Sequence, residues 1–254
     1  MGSFTHDYEF LQITNSEDYD IDTYFSIGNS TATSSGRLSY FFGALGPCIS
    51  LDTACSSSLA AVHLACQSLE LGECNIGLAS GVNLILSHSY YQLFTIKKDA
   101  QAMVDVNHLA LMPIGGYVRS EGCAVVVHKR LKNTFDDNLL AIIVASAINH
   151  VRPSNGITAP NGKVQEKLYT LSNALGDLLE YNSLRAIYGG REHPLILGLV
   201  KTNIGHTEAT TGLAGLIKVV LALNAHLIPA HLHLNIKSTH TCNYPKTSNS
   251  MENK

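Results

Sequence analysis

Residues 46–59 read Gly46-Pro47-Cys48-Ile49-Ser50-Leu51-Asp52-Thr53-Ala54-Cys55-Ser56-Ser57-Ser58-Leu59. A short apolar run ends at Asp52 and a turn of small residues follows. Cys55 then stands where a strongly helical segment, Ser57 to Leu71, begins. A helix N-terminus presents unpaired N–H groups and partial positive charge. A thiol held there gives up its proton more readily and becomes a better nucleophile. Placement alone leaves this reading level with a second one, in which Cys55 is a buried structural thiol, as most free cysteines are.

Outward from that stretch the pattern is one of short apolar runs and helical segments. Ile27 to Ser35, rich in Ser, Thr, Asn and Gly, reads as a loop. Leu38 to Leu45 and Cys48 to Leu51 read as short apolar elements around Gly46-Pro47. Ser57 to Leu71 is apolar on nearly every face, which predicts a buried helix. Asn75 to Leu86 predicts a short buried strand followed by a Gly-Val-Asn turn. The β-branched runs Ala124 to His128, Leu140 to Asn149 and Leu195 to Val200 predict strands. Gly212 to Asn224 predicts a second buried helix, with Gly212 and Gly215 allowing close approach to a neighbour. Strands alternating with buried helices point to an α/β layered fold.

Composition sets the outer bounds. At 254 residues the chain is one domain, or one large and one small piece. Apolar residues make up 45%, enough for a sizeable core, while charged residues reach only 15% against a usual share of about a quarter. The net charge of −3 and the absence of an Arg-rich patch with interleaved aromatics speak against nucleic acid or an anionic membrane surface as partner. Cys48, Cys55, Cys66, Cys74, Cys123 and Cys242 form no CxxC pair, which disfavours a zinc site or a thioredoxin motif. Met1 to Asp20 is polar and acidic rather than a signal peptide, so reduced thiols and a cytoplasmic location are expected. Gly212 to Leu223 is too short to span a membrane and is interrupted by Lys218.

The stretch Asp52-Thr53-Ala54-Cys55-Ser56-Ser57-Ser58 resembles the active-site motif of the β-ketoacyl synthase (ketosynthase) domain of modular type I polyketide and fatty acid synthases. Further blocks are similar to that family in the family's order: Ser35-Gly36-Arg37-Leu38-Ser39-Tyr40, Gly81-Val82-Asn83-Leu84-Ile85-Leu86, Gly116-Tyr117-Val118-Arg119-Ser120-Glu121-Gly122-Cys123, and Ser154 to Gly162. The last, Val200-Lys201-Thr202-Asn203-Ile204-Gly205-His206-Thr207-Glu208-Ala209, resembles the motif of the second catalytic histidine. Together the blocks cover most of residues 24–235, and a chance match of that many in order is very improbable.

The resemblance implies a thiolase-like fold, two duplicated halves layered αβαβα. It also implies transfer of an acyl chain from a thioester to a cysteine, then condensation with a carbanion made by decarboxylating a malonyl thioester. The first step needs a thiolate and an oxyanion hole; the second needs neutral hydrogen-bond donors where enolate charge develops. By resemblance Cys55 is the nucleophile, His206 the second histidine and Lys201 a structural or electrostatic support. Asn155 to Asn161 is a turn-rich loop placed to shape the pocket. No resident cofactor is implied. The substrates would be phosphopantetheine-linked acyl thioesters, on acyl carrier protein or CoA, and a homodimer or a heterodimer with an intact ketosynthase is the implied assembly.

Departures from the family pattern point the other way. The block holding the first catalytic histidine belongs between Gly162 and Lys201; here Leu175 joins directly to Gly176, and neither His150 nor His193 has the right context. The family's sequence upstream of about Gly2 and its C-terminal glycine-rich block also have no counterpart, and Lys97 to Met112 departs from the pattern. The expectation is therefore an incomplete ketosynthase domain, inactive in condensation. Loss of an oxyanion donor costs roughly 10²–10³ in rate, and loss of one member of a cooperative constellation costs more. Two alternatives stand beside it: a non-elongating acyltransferase working through Cys55, and a non-catalytic partner of an intact ketosynthase.

Other constellations carry less. His231, His233 and the nearby His226 lack a carboxylate or cysteine at metal-ligand spacing, so no metal site is expected. Asp52 suits a turn or capping role better than that of a carboxylate partner. Glu208 and Glu121 show no spacing that singles them out. The chain divides into a polar N-terminal segment (1–23), a partial ketosynthase-like domain (24–236) and a polar tail (237–254) expected to be disordered.

Overall fold

Three consecutive valines, Val125 to Val127, favour extended backbone because their branched Cβ restricts χ1 and packs well on a pleated surface. They lie in β2 (Gly122–Lys129), which pairs antiparallel with β1 (Ile76–Asn83) from Ile76↔Lys129 to Asn83↔Gly122. The computed structural model describes residues 1–3, 6–14, 23–88, 118–135, 137–149 and 198–229. Around the two strands are α1 (Asp7–Thr14), α2 (Phe25–Asn29), α3 (Thr31–Phe42), α4 (Ser57–Glu70), α5 (Lys201–Ile204) and α6 (Thr211–Ala225). Single 3-10 turns cover Leu131–Asn133 and Glu208–Thr210.

Period-two alternation decides the faces of the sheet. Gly77, Ala79 and Gly81 on β1 stand opposite His128, Val126 and Ala124 on β2. This face meets α4 and the start of α6 in a core of Ala61, Val62, Ala79 and Leu213, with Leu51, Ala65, Cys66, Ala124, Val126 and Leu216 packed around it. Leu78, Val125 and Val127 occupy the other face and are exposed. Small residues set the spacing: a Cβ on Gly81 would stand 2.9 Å from Ser58 Cβ and 3.0 Å from the Ala209 carbonyl oxygen.

Residues 1–3 extend the sheet. Gly2 bridges Gly81 on one side and Leu51 on the other, both parallel. The Gly2 N–H donates to Ser80 O at 2.8 Å, and the Leu51 N–H donates to Met1 O at 2.9 Å. Helix α1 is tied to the end of β1 through buried Asp7, whose Oδ2 accepts the N–H groups of Leu86 and Ser87 at 2.9 and 3.0 Å.

Several local expectations need correction. Ile27 to Ser35 is not a loop: it runs through α2 and into α3. Thr33 Oγ1 donates to Ile27 O and Ser30 O, and Ser35 Oγ meets Ser50 Oγ at 2.8 Å, so hydroxyls that would compete with the helix find partners compatible with it. Gly81-Val82-Asn83 is the last part of β1 rather than a turn, because Gly122 to Ala124 pair with it. Among the described residues, 139–149 and 198–200 belong to no strand, while Leu195 to Leu197 of the third expected strand lie outside them. Helices α4 and α6 are not buried all round. Only Leu213 of α6 is fully covered, and Val219, Leu221 and Leu223 are exposed. Gly212 does permit close approach, since its Cβ would meet Leu59 Cγ at 2.5 Å, but nothing lies within 4 Å of Gly215.

By length and composition alone Glu208–Ala225 (18 residues, mean hydropathy 1.2) could cross a membrane. Its first turns instead pack on α4 and β1, and Glu208 is committed to a buried ion pair. The loop 155–161, the Leu175–Gly176 junction, His150, His193, His231, His233, residues 97–112 and the tail all lie outside the described residues.

The glycine geometry yields opposite expectations at two positions. Gly36 lies inside α3, and a Cβ placed there would meet nothing within 4 Å, so Gly36→Ala should stabilise by about 0.5–1 kcal/mol. Gly81→Ala forces Ser58 or the Ala209–Thr210 backbone apart and should cost about 1–3 kcal/mol. Urea denaturation followed by circular dichroism distinguishes them; equal effects at the two sites would refute the packing described for β1.

Candidate active site

Asp52 begins the turn that presents Cys55. Its Oδ1 accepts the Ala54 N–H at 2.8 Å, the Asx-type turn expected of this residue. Ala54 is driven to φ 55°, a left-handed conformation that costs a non-glycine residue about 1–3 kcal/mol. Ser57 counters that strain: its Oγ accepts the Thr53 N–H at 2.9 Å and donates to Ala54 O at 2.7 Å. Cys55 therefore sits on a tight, cross-braced turn one residue before Ser56, the N-cap position of α4. Its thiol is exposed, which sets aside the buried structural reading. Cys48, Cys66, Cys74 and Cys123 are also free thiols, and burial pushes Cys66 up.

His206 is held on the segment that leads into α6. Its backbone forms a parallel bridge with Arg119: His206 N–H donates to Val118 O at 2.8 Å, and Ser120 N–H donates to His206 O at 2.9 Å. Gly205 before it has φ 75°, where a side chain would be strained and would also meet Ser120 and Val118 O within 3.2 Å. The imidazole is 8% exposed. Its Nδ1 lies 2.8 Å from the Glu208 backbone N–H and 3.0 Å from Thr211 Oγ1. A backbone N–H can only donate, so Nδ1 carries the lone pair and the neutral ring carries its proton on Nε2.

Charge around the ring favours that neutral form. Burial, then the Lys201 ammonium and the Arg119 guanidinium, bring His206 down from 6.5 to about 4. Lys201 opens the single-turn helix α5 and is half-buried; its carbonyl accepts the Gly205 N–H at 2.9 Å. Arg119 meets Glu208 in a two-pronged ion pair, Nε to Oε1 at 2.5 Å and Nη2 to Oε2 at 3.0 Å, with side chains 0% and 3% exposed. Glu208 itself stands at φ 44°.

The segments bearing Cys55 and His206 lead into helices that touch. The Leu213 N–H of α6 donates to Ser58 Oγ of α4 at 3.1 Å. Arg119 and Thr211 are the functional neighbours that sequence reading passes over. The Arg119 signal lay in the block around it, but its partner is 89 residues away, beyond the reach of any spacing rule. Glu121, the other carboxylate, accepts the Ile85 N–H at 2.9 Å. Among the described residues no group of three or more His, Cys, Asp or Glu is placed to hold a metal ion, and His226 forms the left-handed C-cap of α6.

Known proteins resemble this chain in sequence and fold. Residues 1–134 match the family pattern described as Beta-ketoacyl synthase, N-terminal domain, and residues 169–235 match Beta-ketoacyl synthase, C-terminal domain. The chain is 41% identical over 269 residues to a phenolphthiocerol/phthiocerol polyketide synthase of Mycobacterium tuberculosis, covering 92% of this chain and 14% of that protein. A second phenolphthiocerol/phthiocerol polyketide synthase protein from the same species is 37% identical over 267 residues, with 92% and 16% covered. An oxazolomycin ketosynthase domain of Streptomyces albus superposes with a TM-score of 0.80 at 29% identity, covering 94% of this chain and 46% of that one. The ketosynthase from module 6 of the bacillaene synthase of Bacillus subtilis gives 0.77 at 29% identity, covering 94% and 45%. The chain thus has the layered α/β fold of ketosynthases, but spans less than half of those solved domains and about a seventh of the mycobacterial polyketide synthases.

Two measurements follow from the ion pair and the imidazole. Glu208→Gln leaves Arg119 charged and buried, and should cost about 3–5 kcal/mol in urea unfolding at neutral pH; a loss below about 1 kcal/mol would show the pair to be solvated. For His206, the unfolded chain binds the extra proton between about pH 6.5 and 4 while the folded one does not. Stability must therefore fall as pH falls through that window, with His128, also lowered by burial, adding the same sign. His206→Gln should flatten the slope, and an unchanged slope would exclude His206 as its source.

Proposed function

Because the chain belongs to the β-ketoacyl synthase family, we propose that it is a polyketide-synthase-type ketosynthase domain that accepts an acyl group on Cys55 and does not extend it. The observation that carries this reading is the exposed Cys55 on its braced turn, with the α4 start packed against the His206-bearing segment.

In this reading the Cys55 sulfur attacks the carbonyl carbon of an acyl thioester carried on phosphopantetheine. A new C–S bond forms, the tetrahedral oxyanion collapses, and the original C–S bond breaks. The departing thiolate takes up the proton that Cys55 released. His206 presents Nε2–H as a neutral donor, the form suited to an oxygen that gains negative charge. Burial keeps that imidazole uncharged, and Lys201 adds like-charge repulsion and supplies positive potential for an anionic substrate.

Condensation would require a second neutral donor for the enolate. The sequence runs Leu175-Gly176 where the family's first catalytic histidine block belongs. The match to the mycobacterial synthase runs over 269 residues, longer than this 254-residue chain, so the alignment carries gaps on this side. Both facts support acyl transfer without carbon–carbon bond formation. The acyl donor would be an acyl carrier domain or an acyl-CoA, the assembly a dimer with itself or with an intact ketosynthase, and the location cytoplasmic.

Intact-mass measurement after incubation with an acyl thioester tests this directly. The expected result is one added acyl group, absent in Cys55→Ala, and no extended product when a malonyl thioester is supplied. No added mass on a folded chain would overturn the acyl-transfer reading; an extended product would overturn the restriction to it.

A further inference from the structure

Thr211 opens α6 and turns its hydroxyl back toward the loop that precedes it. Its Oγ1 lies 3.0 Å from His206 Nδ1, and its next contact, Thr207 Oγ1, is longer at 3.4 Å. The Glu208 N–H already points at Nδ1 from 2.8 Å. Nδ1 is therefore an acceptor for both, one lone pair shared between two donors. The hydroxyl has a single proton to give, and the shorter contact takes it.

We propose that Thr211 is a positioning residue for His206: its hydroxyl and the Glu208 N–H together hold the ring so that Nε2–H is the only proton it presents. This deepens the functional reading above, since it concerns the donor that the reading assigns to the reacting oxygen. The backbone N–H alone selects the tautomer. Thr211 adds a second donor on the same nitrogen, which resists rotation of the ring about χ2 and opposes protonation at Nδ1. A 180° ring turn would place a carbon against both donors and leave them without an acceptor. The charged groups facing the ring are Lys201 on α5, Arg119 on the adjoining backbone bridge and Glu208, the last already committed to Arg119.

The imidazole nitrogens of ¹⁵N-labelled protein report on this without any turnover. We expect wild type and Thr211→Ser to show His206 as the Nε2–H tautomer with a hydrogen-bonded Nδ1. In Thr211→Val, which keeps the shape and drops the hydroxyl, the Nδ1 resonance should move toward that of a weaker acceptor. The His206 midpoint should rise by about half a pH unit, roughly a threefold change in its protonation constant, because a hydrogen bond to the neutral form disfavours the charged one. Thr211→Ala serves the same purpose if the valine variant does not fold. Valine or alanine variants that match wild type at both nitrogens and in midpoint overturn the proposal. The acyl-transfer reading is judged separately by Cys55 acylation, so a chain that takes no acyl group can still show, or fail to show, the Thr211 effect.

Discussion

A guanidinium and a carboxylate removed from water need each other far more than they need anything else nearby. Arg119 and Glu208 are both almost fully buried, and their paired geometry satisfies two donors and two acceptors at once. The pair joins the backbone leading into β2 to the turn leading into α6. It also holds Glu208 in a left-handed conformation that its side chain would not choose unaided. The bridge between Arg119 and His206, the Glu208 N–H on Nδ1 and the start of α6 all depend on that turn keeping its shape. A buried pair of this kind need not add stability compared with an apolar replacement. Its value here is registry, because it allows one arrangement of the turn and excludes others.

The same pair has an electrostatic consequence. Three charges stand around the imidazole, and the one anion among them is consumed by Arg119. Burial does most to keep the ring neutral, and the net positive charge that remains adds to it. This is the reverse of the arrangement in which a carboxylate behind a histidine raises its basicity. A site built this way donates a hydrogen bond well and takes a proton poorly. That division suits a histidine meant to steady developing negative charge on oxygen rather than to activate the thiol.

Much of the fold was legible where local chemistry and tertiary packing agree. The β-branched run at Val125 to Val127, the helix at Ser57, the helix at Gly212 and the Asx turn at Asp52 each appear close to where the pattern put them. The failures have physical causes. Ile27 to Ser35 looks like a loop because hydroxyls compete with the backbone, yet Thr33 bonds back to Ile27 and Ser30, and Ser35 bonds to Ser50, without breaking α3. Gly81 looks like a turn because glycine usually marks one, yet it lies in β1 because α4 and the Glu208–Thr210 turn leave no room for a side chain. The blocks around Cys55 and His206 are what single those two residues out. Arg119 and Thr211 were not singled out, because what marks them is contact across the fold. Thr211 in particular is one hydroxyl among many until the turn at Glu208 brings it to the ring.

Gly2 is an inner ladder rung, with Leu51 on one side and Gly81 on the other. Both pairings are parallel and join segments about fifty and eighty residues apart in the chain, so neither can form by a local hairpin. During synthesis at about 5–20 residues per second, Gly2 waits roughly 4–16 s before the second of its neighbours has been made. Until Gly81 is made, Gly2 can pair on the Leu51 side alone. The sheet can therefore assemble outward from one of its earliest-made rungs, since β2 and the Arg119–His206 bridge come from chain made later still.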